Sequence, residues 1–280
     1  MTSLFVEQLT VIDCAYLHPQ RGLVGESWIV DLELEGDLNA ESMVLDFAEV
    51  KKKLKKTVDA VADHTLIVPG RSPLLHYVRS DERCGLTYKA ESGVIEQQAP
   101  AVAVCVLEAD EVTTETLAAR LQIAVAAASP KNVHAARVHL RHEVIDGAYY
   151  HYTHGLKKHQ GYCQRIAHGH RSRLQIFVDG VRDTRLEKRL ADHWRDIYLA
   201  STSDMASHGD GRMRFEYTAA EGEFLLELPA DRCDLMVADT TVERIAEHLA
   251  AKVAGERPRS QIEVRAYEGV NKGAIAKIST

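Results

Sequence analysis

Two stretches of the chain, one in each half, share the same strand-like pattern. They are Gly25-Glu26-Ser27-Trp28-Ile29-Val30-Asp31-Leu32-Glu33-Leu34-Glu35-Gly36 and Gly169-His170-Arg171-Ser172-Arg173-Leu174-Gln175-Ile176-Phe177-Val178-Asp179-Gly180. Each opens with glycine, alternates polar with apolar side chains and closes on an acidic residue followed by glycine. Alternation with a period of two predicts a half-buried strand. The recurrence of the pattern in both halves predicts an internal repeat.

A helix is predicted after each of these strands, because apolar residues then recur at steps of three and four. In the first half they are Phe47, Val50, Leu54, Val58 and Val61, and in the second half Leu186, Leu190, Trp194 and Ile197. A second helix is predicted to open within 112–118 and within 239–246, where a hydroxyl residue precedes an acid. Each half then ends in an alternating strand, at 136–143 and at 261–267.

This order of elements predicts an α+β fold built from two modules in tandem, with roughly 140 residues each. We place the first module at 1–147 and the second at 148–280. Long strands in such modules leave sheet edges that must be paired. Closure of these edges into a barrel is one solution, and it predicts a homo-oligomer of two or more chains.

The composition excludes several classes of protein. The 280 residues include 34 basic and 41 acidic side chains, and the resulting net charge of −7 argues against a nonspecific nucleic-acid binder. No apolar run reaches the roughly 18 residues that a membrane helix needs, and no secretory signal is visible. Five scattered cysteines favour a reduced, cytoplasmic protein.

The strongest chemical signal is a group of histidines in the second half. His168 and His170 are separated by one glycine at the start of a predicted strand, so both imidazoles face the same side. His154 is the preferred third member, and His151 and His159 are its rivals. Three histidines with an open position are typical of a catalytic zinc site.

Three further residues suggest proton transfer. Cys163 lies between His154 and the histidine pair. It is either a fourth ligand of a structural site or a free nucleophile or base, and its loop position favours the second. Asp63-His64 follows the first predicted helix, and an aspartate can orient an adjacent imidazole.

The first half has Val24-Gly25-Glu26 where the second has His168-Gly169-His170, so we expect no metal site in the first half.

Together these motifs resemble the 6-pyruvoyl-tetrahydropterin synthase and 6-carboxy-tetrahydropterin synthase family over nearly the whole chain. The resemblance implies the tunnelling fold, in which antiparallel sheets and helix pairs from several modules close into a barrel. It implies that His154, His168 and His170 bind Zn²⁺, that Cys163 is the catalytic cysteine, and that Asp63 and His64 form the proton relay. For substrate binding it implies Thr113, Thr114, Glu268 and, at the equivalent position of the first module, Glu143.

The two halves look complementary under this resemblance. The second keeps the zinc ligands, Cys163 and Glu268, while the first keeps Asp63-His64 and the threonines. In the second half Asp196-Ile197 is the expected counterpart of Asp63-His64, with Asp192-His193 as the alternative. We therefore expect one working site at an interface between a second and a first module. An even ring of alternating modules, for example four modules from two chains, is the simplest closure.

The resemblance implies a lyase that acts on 7,8-dihydroneopterin triphosphate. The preferred reaction is formation of 6-carboxy-5,6,7,8-tetrahydropterin with release of triphosphate and acetaldehyde, in queuosine and deazapurine biosynthesis. The alternatives are 6-pyruvoyl-tetrahydropterin formation or a related side-chain cleavage. A catalytically silent pterin- or purine-binding protein with structural zinc is the alternative from another class.

Overall fold

The computed structural model describes residues 2–279, apart from the side chains of residues 47–49. The described strands are β1 (Thr2–His18), β2 (Gly22–Gly36), β3 (Leu66–Pro69), β4 (Leu75–Arg79), β5 (Arg83–Ala90), β6 (Gly93–Pro100), β7 (Val104–Leu107), β8 (Val133–His142), β9 (Tyr149–His154), β10 (His168–Val178), β11 (Val181–Arg182), β12 (Ile197–Ser201), β13 (Met205–Gly209), β14 (Arg212–Ala219), β15 (Gly222–Pro229), β16 (Cys233–Met236), β17 (Gln261–Tyr267) and β18 (Gly273–Ser279). The helices are α1 (Phe47–Ala62), α2 (Thr114–Ala128), α3 (Thr184–His193) and α4 (Val242–Glu256).

The strands form three sheets that give the predicted α+β, tandem tunnelling-type architecture. One sheet has the order β7-β3-β1-β2-β8, and a second has the order β16-β12-β9-β10-β17-β18, with β11 paired to β10. The third has the order β13-β14-β15-β6-β5-β4 and takes three strands from each half of the chain. The sequence pattern did not predict that strands from both halves would join in one sheet.

Each of the first two sheets buries one face against its own pair of helices. Leu54 and Val58 of α1 and Leu121 of α2 lie in one apolar cluster with residues of β1 and β2. Leu190 of α3 and Leu249 of α4 lie in the equivalent cluster on the second sheet. A third apolar cluster joins the two halves through the shared sheet. No helix in the described part of the chain is both long enough and apolar enough to cross a membrane.

The halves meet through equivalent residues. Gly25 of β2 contacts Gly169 of β10, the matching glycine of the repeat, and a Cβ on Gly169 would lie 2.7 Å from Gly25 Cα. In the shared sheet β6 pairs with β15, again its counterpart, with Gln97 opposite Leu226. A contact between equivalent patches is isologous and closes on itself. An even ring of alternating modules needs a second kind of contact that leads on to the next chain. The contact between the two halves does not supply one, so the ring stays a prediction.

We expect Gly25→Ala to destabilise the protein strongly. The added Cβ would lie 1.9 Å from the carbonyl oxygen of Tyr152 and 2.7 Å from the amide nitrogen of His170, both of them backbone atoms. Relief requires the two sheets to separate, so we expect the free energy of unfolding to fall by about 3 kcal/mol or more. Urea unfolding followed by circular dichroism measures this loss.

Gly255→Ala is the matched control, because a Cβ at Gly255 in α4 meets no atom within 4 Å. Alanine favours a helix over glycine by about 1 kcal/mol, so this variant should be as stable as the parent chain or slightly more stable. Equal unfolding midpoints for the two variants would show that the close glycine contact between the sheets is not required.

Several predicted boundaries shift in the structure. The second strand pattern forms β10, but β10 ends at Val178 and its final residues turn into β11. The helix predicted over Leu186–Ile197 is wrong at its end, because α3 stops at His193 and Asp196 has a positive φ of 57°. Trp194 and Ile197 are nevertheless buried in the same cluster as the helix, and for that reason their spacing mimicked a longer helix.

Candidate metal and proton-transfer site

The three predicted histidine ligands converge in the structure. His154 on β9 lies directly opposite His168 on β10, and His170 follows two residues later on the same face. All three side chains are buried. One ring nitrogen from each lies within 4.8 Å of the others, which makes them a group able to hold a metal ion.

The partners of the Nδ1 atoms indicate which nitrogen of each ring has the proton. His154 Nδ1 lies 2.9 Å from the carbonyl oxygen of Thr240, and His168 Nδ1 lies 2.9 Å from the carbonyl oxygen of Arg165. His170 Nδ1 lies 3.2 Å from Oδ1 of Asp13. Carbonyl oxygens only accept, so Nδ1 is the donor in His154 and His168, and Nε2 of each of these two rings presents a lone pair.

The Nε2 atoms of the cluster lie close together. His154 Nε2 and His170 Nε2 are 3.2 Å apart, and the buried Nε2 of His168 has no hydrogen-bond partner. Burial, together with the neighbouring imidazoles, lowers the pKa of His154 and His168 well below the ordinary value, so neither ring gains a second proton. Three converging imidazoles fit a divalent cation that prefers nitrogen ligands.

The predicted rivals of His154 lie elsewhere. His151 is buried on β9, but its Nδ1 lies 2.7 Å from the carbonyl oxygen of Gly25. His159 is exposed, and its Nδ1 accepts from the amide of Gly161. Neither belongs to a potential metal-binding group in the described part of the chain.

The proposed relay residues reach the same place from the first half of the chain. His64 Nδ1 lies 2.8 Å from Asp63 Oδ2, and a ring nitrogen of His64 lies within 4.8 Å of Cys163 Sγ. Its centroid is 4.9 Å from that of His168. Burial alone would lower the pKa of His64, but the hydrogen bonds to Asp63 and Cys163 outweigh burial and raise it to about 10. The relay and the histidine cluster therefore meet within one chain.

Local structure fixes both partners of this pair. His64 has a positive φ of 54° just after α1, and its amide donates to the carbonyl oxygen of Asp13. Cys163 lies in a short 3₁₀ turn between β9 and β10, and its carbonyl oxygen accepts from the amide of Leu156. The adjacent Arg165 is buried and forms an ion pair with Glu221 at 2.8 Å, which anchors the turn.

Asp13 is the residue that sequence reasoning missed. Its carboxylate is buried beside His170 and accepts hydrogen bonds from Ser27 Oγ at 2.5 Å and Lys272 Nζ at 3.0 Å. Burial alone would raise the pKa of the Asp13 carboxyl, but His170 and Lys272 outweigh burial and hold it well below its usual range. No spacing rule connects a strand residue of one module with a ligand of the other.

Glu268 lies close to this network. It follows β17 at the start of a loop in which its amide donates to the carbonyl oxygen of Lys272. Lys272 in turn donates to Asp13. Burial, and then the charge of Glu268, raise the pKa of Tyr150 and Tyr152 on β9. The partly exposed carboxylate of Glu268 therefore stands near the histidine-bearing strand.

The other predicted substrate residues have different surroundings. Glu143 forms an ion pair with Arg173 at 3.0 Å, so its charge is already balanced. Thr113 caps α2 by accepting from the amide of Thr116, and Thr114 donates to Glu115. Thr240, at the equivalent helix of the second half, is the threonine whose carbonyl oxygen contacts His154. Substrate roles for Glu143, Thr113 and Thr114 stay predictions.

Among the described residues, the equivalent position in the first half has no histidine cluster. By strand register, Tyr16, Val24 and Glu26 occupy the positions equivalent to His154, His168 and His170. The pairing of β1 with β3 and of β9 with β12 shows that Asp196 is equivalent in position to His64. The sequence pattern predicted instead that Asp196 is equivalent to Asp63. Asp196 and His64 share a positive φ. Asp196 is buried and forms an ion pair with Arg21 at 2.5 Å.

Comparisons with known proteins found one family model and several solved structures of low similarity. The family model described as 6-pyruvoyl tetrahydropterin synthase matches residues 10–153, just over half of the chain. A catalytic-residue mutant of the Plasmodium vivax 6-pyruvoyltetrahydropterin synthase is 22% identical, with a TM-score of 0.41, and covers 50% of this chain and 90% of its own. The Plasmodium falciparum 6-pyruvoyl tetrahydropterin synthase is 19% identical, with a TM-score of 0.40 and the same coverages. A comparison with curated proteins gave no match. On the extent of the family match, the chain belongs to the 6-pyruvoyl tetrahydropterin synthase family.

Proposed function

We propose that the protein is a zinc-dependent 6-carboxy-5,6,7,8-tetrahydropterin synthase that acts on 7,8-dihydroneopterin triphosphate. The observation that supports this best is the meeting of His64 and Cys163 with three buried imidazoles across the boundary between the halves. A binding protein with structural zinc has no need for such a relay. Membership in a family of tetrahydropterin synthases supports the substrate class.

His154, His168 and His170 would hold the zinc ion. When bound, zinc supplies Lewis acidity at the hydroxyl oxygens of the substrate side chain, which lowers the cost of removing a proton from carbon. Cys163 would exchange one proton with the side chain, and His64, oriented by Asp63, would make the other transfer. Their proximity would let a proton pass between them.

Glu268 would anchor the pterin ring. A carboxylate accepts two parallel hydrogen bonds from an exocyclic amino group and the neighbouring ring N–H. Glu268 suits this role because it forms no ion pair with the described residues, whereas Glu143 is held by Arg173. We therefore assign pterin binding to Glu268 within the chain.

The overall reaction would convert 7,8-dihydroneopterin triphosphate and water to 6-carboxy-5,6,7,8-tetrahydropterin, acetaldehyde and triphosphate. Such a product would serve deazapurine and queuosine synthesis. The described cysteines are all free, which fits a reducing, cytoplasmic compartment. We also propose that the halves 1–147 and 148–280 act as two modules of one homo-oligomeric enzyme.

The experiment is incubation of zinc-loaded protein with 7,8-dihydroneopterin triphosphate, with products identified by mass spectrometry and acetaldehyde trapped separately. A carboxylated tetrahydropterin together with acetaldehyde supports the proposal. A pyruvoyl product without acetaldehyde assigns the reaction for which the family is named. Unchanged substrate with full zinc content would leave a binding protein and overturn the enzymatic proposal.

A further inference from the structure

One acidic side chain of the first half faces a proposed metal ligand across the boundary between the halves. Asp13 Oδ1 lies 3.2 Å from His170 Nδ1. The two side chains are only 4% and 1% exposed, so water does not compete for either group. A carboxylate in this position fixes the ring orientation and the tautomer of a metal-binding histidine.

The carboxylate of Asp13 is itself held from two sides. Ser27 Oγ donates to Oδ1 at 2.5 Å, and Lys272 Nζ donates to Oδ2 at 3.0 Å. Ser27 comes from the neighbouring strand β2, where it pairs with Asp13, and Lys272 comes from the loop after β17. Lys272 also balances a charge that would be costly to bury alone.

The backbone of the same residue supports the relay. Its amide donates to Asp63 Oδ1 at 3.0 Å, and its carbonyl oxygen accepts from the amide of His64 at 2.7 Å. Asp13 therefore contacts the metal cluster through its side chain and the relay pair through its main chain. A shift of this strand residue would change the geometry of both.

The equivalent pair at the metal-free position has the two residue types exchanged. Strand register matches Asp13 with His151, and His170 with Glu26. His151 Nδ1 lies 3.8 Å from Glu26 Oε2, so an acid and an imidazole face each other there as well. The acid lies on the first half in both pairs, and the imidazole on the second half. Of these two imidazoles, the one that belongs to the histidine cluster is that of His170.

We propose that Asp13 is a positioning residue for the metal site, supplied by the half of the chain that has no metal ligands. It orients His170, keeps the proton on Nδ1 and strengthens Nε2 as a ligand. The inference rests on the metal site of the proposed function and is independent of which pterin product forms.

The test is the affinity of the 280-residue chain for Zn²⁺ and Co²⁺, measured by competition with a chromophoric chelator. Asp13→Asn should weaken binding by about 10–100-fold, the range for loss of a carboxylate behind a metal-binding histidine. Glu26→Gln is the matched control, because Glu26 is an equally buried acid at the same boundary. It should leave the affinity unchanged. A folded Asp13→Asn chain with parental affinity would overturn the proposal.

A measurement on the unmodified chain keeps the proposal testable if Asp13→Asn does not fold. In the zinc-loaded protein, ¹⁵N NMR of His170 should show a protonated Nδ1 with a proton at low field and a metal-bound Nε2. A metal-bound Nδ1 would contradict the inference. Turnover plays no part in either readout, so a chain that binds zinc tightly but converts no pterin would refute the proposed reaction and leave the role of Asp13 intact.

Discussion

His168→Ala should reduce bound zinc from about one ion per chain to a trace and abolish turnover. Its Nε2 is buried without a hydrogen-bond partner, and its imidazole lies between the cluster and the ring of His64. Loss of one of three ligands leaves two imidazoles, which cannot hold the ion against a chelator. Without Lewis acidity worth several kcal/mol, kcat/KM should fall by roughly 10³-fold or more. Metal analysis after dialysis, together with the mass-spectrometric assay, measures both effects.

His159→Ala is the control for this change. His159 is exposed in the same segment between β9 and β10 but has no contact with the cluster in the described structure. Its zinc content and turnover should match those of the parent chain. Full zinc content in His168→Ala would contradict the three-histidine site and would favour a ligand set that includes Cys163 or His64.

Cys163→Ala should abolish turnover while zinc stays bound. Cys163 Sγ lies within 4.8 Å of a ring nitrogen of His64, and both residues lie beside His168. Removal of a proton-transfer group typically costs about 10²–10⁴-fold in rate. Zinc content separates this role from that of a fourth ligand, because a structural site closed by four ligands would lose affinity when the thiolate is removed.

Cys233→Ala provides the comparison, since Cys233 is the other partly exposed cysteine among the described residues. Its thiol donates to the carbonyl oxygen of Pro229, and it belongs to no metal-binding group in the described chain. We expect parental turnover from this variant. Normal turnover in Cys163→Ala would remove Cys163 from the mechanism and leave His64 as the single proton carrier.

Local patterns in the sequence predicted the parts of the fold that depend on neighbouring residues. Alternation over Gly25–Gly36 identified β2, and the spacing of His168 and His170 predicted that their imidazoles share one face, because both patterns follow from strand geometry alone. The strand over Gln261–Tyr267 agrees with β17 for the same reason. The place of His154 beside this pair depends on the register between strands, and sequence spacing left two rivals open.

Features that depend on the meeting of the two halves were beyond the sequence. Nothing in the local pattern places Asp13 behind His170 or pairs Arg21 with Asp196, because each contact joins residues far apart in the chain. The match of Asp196 with His64 depends on strand register and on a shared backbone conformation. The alignment predicted from the sequence was wrong by one residue here. This error is expected because α1 and α3, which precede the two positions, differ in length.

The contact between Gly25 and Gly169 has an evolutionary consequence. Two separate identical chains that met in this way would form each contact twice, residue i with residue j and j with i, so a ligand could not be lost at one site without being lost at the other. Covalent linkage removes that constraint, because each copy of the repeat can then change independently. Glu26 could replace a histidine while His170 was kept, and Asp13 could specialise as its partner. Fusion thus replaces two identical sites with a single site, and the residues that each half contributes to it can evolve separately.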